Sequence, residues 1–152
     1  MKKYLIISAF AFICISSSNA QQVANGGFEN WTMKTLLNEP NGYSSSNTWA
    51  YVSGSGDNVT KDTSAYHGSF AAKLTTVQTQ NDTIFGALFI GTPGDGGVTG
   101  GMPYTDQPDS VSGYVKYNIP TGDSAFFIVA FKNSGTMIAQ TAQSFTGTQN
   151  TY

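Results

Sequence analysis

The sequence contains no arginine, and charged residues make up only 11% of it, against the roughly 25% usual in soluble proteins. Its basic residues are seven lysines, outnumbered by nine acids. Without a positive footprint the chain cannot follow a phosphate backbone, so a nucleic-acid role is excluded. There is one cysteine, Cys14, and one histidine, His67. One imidazole and no mature thiol cannot make a zinc site of the usual three or four N and S ligands. Nor does any stretch beyond the first twenty residues repeat apolar positions at 3, 4 and 7 over three turns, so a helical core is not expected. An apolar run of the roughly 20 residues needed to span a bilayer is also missing.

What remains is a polar chain rich in Ser, Thr, Asn and Gln, with 17 glycines and an aromatic fraction of 13%, enough to bury a core. At 152 residues it has the length of one domain plus a short leader. Residues 1–20 read as that leader: Lys2 and Lys3, an apolar run from Tyr4 to Ile15, then Ser18-Asn19-Ala20 as a small-x-small cleavage site. Cys14 follows Ile13 rather than the small residue a lipoprotein site requires. Cleavage after Ala20 predicts a secreted, extracellular or outer-surface protein with no membrane span. Lys2 and Lys3 leave with the leader, so five lysines face nine acids, a net charge of −4.

The mature chain, 21–152, reads as strands at 26–31, 48–53, 69–77, 84–91, 111–118, 125–132 and 136–145, separated by Gly-, Asn-, Asp- and Pro-rich turns. The 125–131 run, Ala-Phe-Phe-Ile-Val-Ala-Phe, is apolar on both faces and predicts a central, doubly covered strand. Asn133-Ser134-Gly135 then turns the chain into 136–145 as an antiparallel neighbour. Short strands with regular turns and no intervening helices predict an all-β fold, an antiparallel β-sandwich of jelly-roll type, with a closed barrel as the alternative. The glycine-rich stretch 91–101 lacks the Lys-Ser/Thr and following helix of a phosphate loop and reads as a mobile loop between strands.

Asn25-Gly26-Gly27-Phe28-Glu29-Asn30-Trp31 resembles the N-G-x-F-E opening of secreted jelly-roll carbohydrate-binding modules. Pro40-Asn41-Gly42-Tyr43 stands where those modules have P-x-G-W, and Ala65 to Leu74 follows their A-x-x-G-x-x-A-x-x-L strand. With Gly100 to Tyr104, Gln107 to Tyr117 and Gly122 to Ala125, the chain resembles the carbohydrate metabolism domain family of secreted bacterial proteins over nearly all of 25–145. The resemblance implies a galactose-binding-like sandwich, with a carboxy-terminal sorting segment for surface attachment. Neither that segment nor the family's last strands follow Tyr152, so the fold is expected to be incomplete at its carboxy terminus. The resemblance also implies that Glu29 is a side-chain ligand of one structural calcium ion, beside the turn around Ser64 to Gly68.

Binding a sugar takes flat aromatic faces and nearby amides or hydroxyls. Trp31, Tyr43, Trp49, Tyr51, Tyr104 and Tyr114 are candidates, with Asn47, Asp106 and Gln107 as polar neighbours. Trp31 and Tyr43 are expected in the core. Trp49, Tyr51 and Tyr104 lie in or beside loop-like segments and are expected to be exposed, and with Asp106 and Gln107 they are the predicted ligand-binding set. Glycosidases need two facing carboxylates, and Glu29 and Glu39 are the only glutamates, while most of the aspartates occupy turn contexts. No G-x-S-x-G elbow accompanies His67. Asp82-Thr83-Ile84, Asp109-Ser110-Val111 and Asp123-Ser124-Ala125 have the form of bacterial O-glycosylation sites. The expected function is a non-catalytic module whose partner is a glycan or polysaccharide. A structural or adhesive surface domain, or an accessory domain of a glycoside hydrolase, are the alternatives.

Overall fold

The computed structural model describes residues 21–152, so the leader lies outside the described residues. The described residues are all-β: strands take up 40% of them, and the one helix among them is six residues long. The strands are β1 (Trp31–Lys34), β2 (Leu37–Pro40), β3 (Ser44–Ser45), β4 (Val59–Asp62), β5 (Ala71–Leu74), β6 (Val77–Gln78), β7 (Thr83–Ile84), β8 (Leu88–Phe89), β9 (Thr92–Gly94), β10 (Gly97–Thr99), β11 (Tyr117–Asn118), β12 (Ala125–Asn133), β13 (Thr136–Phe145) and β14 (Thr148–Gln149). They pair in antiparallel twos: β1–β2, β3–β8, β4–β5, β6–β7, β9–β10, β11–β14 and β12–β13. Two of these ladders, β3–β8 and β11–β14, join segments distant in sequence.

Residues 48–53, expected as a strand, instead form helix α1 (Asn47–Val52). Trp, Tyr, Val and Thr favour strands by local propensity, but short-range bonds at both ends override it here. At the amino end the Asn47 N–H donates to Ser45 Oγ at 3.1 Å. At the other end the Ser55 N–H and hydroxyl both donate to the Ala50 carbonyl, at 3.0 and 2.8 Å. Asn47 and Ala50, one turn apart, face inward with no exposure, and Trp49, Tyr51 and Val52 point outward.

The centre of the molecule is polar. Around Tyr43, Ala50 and Val59 lie buried Glu39, Ser45, Ser46, Asn47 and Asn58. Asn47 behaves as a strand partner for Val59: Oδ1 accepts from the Val59 N–H at 2.7 Å and Nδ2 donates to the Val59 carbonyl at 2.9 Å. The Asn58 N–H also donates to Asn47 Oδ1, at 2.9 Å. Asn58 in turn accepts from the Ser46 hydroxyl at 2.7 Å and donates to the Phe85 carbonyl at 2.9 Å. Ser46 and Ala87 exchange two further bonds. The segments 45–47, 58–59 and 85–87 are thus sewn together by amides and hydroxyls rather than by aliphatic packing, which suits a chain so rich in them. Tyr43 fills the core as expected, its ring 5.2 Å from that of Phe28, whereas Trp31 is only half-buried.

Four other expectations are corrected. Residues 26–31 are a turn and an irregular run, and the first strand begins at Trp31, because Asn25 takes a left-handed φ of 50° and closes the turn through its side chain. The 91–101 loop is the β9–β10 hairpin, turning at Asp95-Gly96. Of 111–118 only Tyr117–Asn118 pairs as a strand. The hairpin at 133–135 is present, with Ser134 and Gly135 both at positive φ (48° and 84°), the backbone of a tight two-residue turn. Its strand β12 is not doubly covered, however. Among the described residues it pairs with β13 alone, and Phe126, Phe127 and Ile128 are about half to two-thirds exposed.

Candidate functional site

The loop joining β4 to β5 is shaped by two carboxylates. Asp62 Oδ1 accepts from the Ser64 N–H at 2.7 Å, starting a tight turn. Glu29 Oε1 closes the far end by accepting from the Ser69 and Phe70 N–H groups at 2.9 and 3.1 Å. Gly68 makes that approach available: its φ is +78°, and a Cβ there would stand 2.2 Å from Glu29 Oε1. Held between these two anchors, the loop presents Tyr66 and His67 to solvent.

Two other segments meet them. Tyr66 stacks on Tyr114 with ring centroids 3.6 Å apart and planes at 19°. The His67 imidazole stands edge-on to Tyr66 at 4.5 Å, and Tyr152 approaches Tyr66 at 5.9 Å. Ser64 is the hub of this cluster: its hydroxyl accepts from Lys116 Nζ and its carbonyl accepts from the Tyr152 hydroxyl. The Lys116 ammonium also lies 5.2 Å from the Tyr152 ring centre. Tyr66 is 46% and Tyr114 60% exposed, so with one face of Tyr114 covered by Tyr66, its other face is open. The Tyr66 hydroxyl is pushed above its ordinary pKa of 10.0, first by hydrogen bonding with Tyr114 and then by the charge Tyr114 would carry. The Tyr66 ring therefore stays neutral across the physiological range.

The residues singled out in the sequence are placed differently. Trp49 and Tyr51 are each about half exposed, but two positions apart on α1 they point to different sides and form no common platform. Tyr104 is half-buried, its ring 5.7 Å from Phe131, while Asp106 and Gln107 are exposed in the irregular segment before β11. Asn47 cannot serve a ligand, being fully buried and committed to Val59. Glu29 does reach the turn near Gly68, but what meets it there is N–H donors rather than carbonyl oxygens. A cation does not fit at Oε1. Among the described residues Oε2 makes no hydrogen bond, and no three His, Cys, Asp or Glu side chains gather as a metal cluster. Calcium would have to be held by Oε2 and backbone carbonyls.

Two open clefts of about 500 Å³ lie elsewhere, one lined by Pro120 to Ser124 with Thr146 and Gly147, the other by Ser53 to Ser55 with Gln78 to Gln80. Neither presents an aromatic ring, so the tyrosine cluster lies outside both. Of its members the sequence pointed to Tyr114 alone. The pairing of residues 66, 114 and 152 depends on long-range contacts that leave no local pattern. Among the described residues no helix is long and apolar enough to cross a membrane. Comparisons with family models, curated proteins and solved structures find no match.

Proposed function

We propose that the chain is a secreted, non-catalytic, galactose-binding-like β-sandwich that recognises glycan on the Tyr66–Tyr114 platform, as its resemblance to the carbohydrate metabolism domain family suggests. The observation that carries this reading is the exposed tyrosine stack, with a hydroxyl and an ammonium group beside it. The open Tyr114 face suits the apolar C–H face of a pyranose, and Ser64, His67 and Lys116 supply polar atoms for its hydroxyls. An exposed ring stack of this kind suits an extended polysaccharide better than a free monosaccharide. Retention in affinity gels containing polysaccharide tests it. Tyr114→Ala is expected to weaken retention about threefold to tenfold, the range of an aromatic stacking contact. Trp49→Ala and Tyr104→Ala are expected to change it little. Full retention by Tyr114→Ala with loss in Trp49→Ala would move the site to the helix.

A calcium ion at Glu29 Oε2 belongs to the same reading. Chelator should then lower the melting temperature of the wild type and leave that of Glu29→Ala unchanged. A chelator-insensitive wild type would remove the ion.

A second reading, a structural or adhesive surface domain, is favoured by one observation: the exposed apolar residues Phe126, Phe127, Ile128, Met137 and Ile138 on the β12–β13 ribbon. Folded protein that binds no polysaccharide would support it.

A further inference from the structure

Among the described residues the Lys116 charge at the platform has no counter-charge in contact. The Lys116 ammonium is engaged by the Ser64 hydroxyl and by the face of Tyr152, both uncharged. The closest carboxylate on the loop, Asp62, spends Oδ1 on the Ser64 N–H. His67, against Tyr66, is the platform's other nitrogen side chain. The chain as a whole is acidic, with nine acids against seven lysines, so its overall field repels anions. A cation fixed beside an open aromatic face in such a molecule is a local device, available only to a ligand that also reaches the tyrosines.

We infer that the platform prefers acidic sugars, stacking the ring on Tyr114 while a carboxylate or sulfate substituent meets Lys116 in the place next to Ser64. This inference rests on the glycan-binding reading above and deepens it. A neutral sugar gains the stacking contact and hydrogen bonds to its hydroxyls. An acidic one adds an exposed ion pair, worth a modest factor that grows as the sugar displaces water from the ammonium.

The test is affinity electrophoresis of the full chain in gels containing polygalacturonate, dextran sulfate or neutral dextran, at about 0.05 M and about 0.5 M salt. Wild type should be retained more strongly by at least one acidic polymer than by dextran, and that difference should shrink at high salt. Polygalacturonate and dextran sulfate distinguish carboxylate from sulfate as the preferred group. Lys116→Gln should weaken acidic-polymer retention about twofold to fivefold more than it weakens neutral-polymer retention, with Lys116→Arg restoring the difference. Circular dichroism checks that each variant is folded. Equal retention of wild type and Lys116→Gln on acidic polymers overturns this inference, yet leaves the platform standing if Tyr114→Ala still loses retention. Retention equal on acidic and neutral polymers overturns it in the same way. No retention by any polymer overturns both readings.

Discussion

Asn47 occupies a fully buried position and offers Val59 the same donor and acceptor pair that a neighbouring strand would. Asn47→Ala leaves the Asn58 and Val59 N–H groups and the Val59 carbonyl without partners. A loss of about 3 kcal/mol or more is expected in urea denaturation. Gly68 is a second such position. Its alanine variant must tolerate a positive φ and a Cβ against the Glu29 carboxylate, and should lose about 1 to 3 kcal/mol. In a Glu29→Ala background that penalty should shrink to the backbone part, which a double-mutant cycle reads directly. Burial raises the Tyr43 hydroxyl above its ordinary pKa of 10.0, so the fold favours the protonated ring. Its contribution is fully present below pH 10 and is lost as pH rises through the raised folded value. Stability measured across the alkaline range should fall there, and Tyr43→Phe should fall less steeply. At this scale the sequence was partly legible. Tyr43 could be placed in the core because an apolar ring in a turn-rich chain has few other uses. Asn47 could not, because the amide that joins two segments is of the same type as those that fill loops.

At the level of elements, hairpins were legible where turn chemistry is specific, and strands where apolar runs are long. The β12–β13 hairpin is where the sequence places it, and its turn explains why. Ser134 takes φ 48°, a conformation asparagine adopts more readily, so Ser134→Asn is expected to stabilise the protein by about 0.5 kcal/mol in thermal unfolding. Partway along, Phe131 pairs with Ala139 and Lys132 with Met137, leaving Ile138 as the extra residue of a bulge that increases the local twist. The covering of this ribbon was misjudged, because apolarity on both faces records what a strand could bury and not what lies against it. Helix α1 was misjudged for the opposite reason. Its residues favour strands, and the bonds that close its two ends come from Ser45 on one side and Ser55 on the other.

For the whole molecule, the all-β class followed from short apolar runs and frequent turn residues, while the tyrosine cluster depended on the path of the chain between residues 64 and 152. The apolar side chains of β12 and β13 should bind a hydrophobic dye in the folded protein, and Phe126→Lys with Ile128→Lys should reduce that signal without lowering the melting temperature. An unchanged signal would place the dye elsewhere. The central claim is that an exposed tyrosine stack, fixed by Ser64 and Lys116, is a glycan platform. Retention of wild type and Tyr114→Ala on a panel of polysaccharide gels tests it most directly. The account predicts selective retention of the wild type that drops severalfold in the folded variant. Equal retention of the two proteins, or none by either, would contradict it.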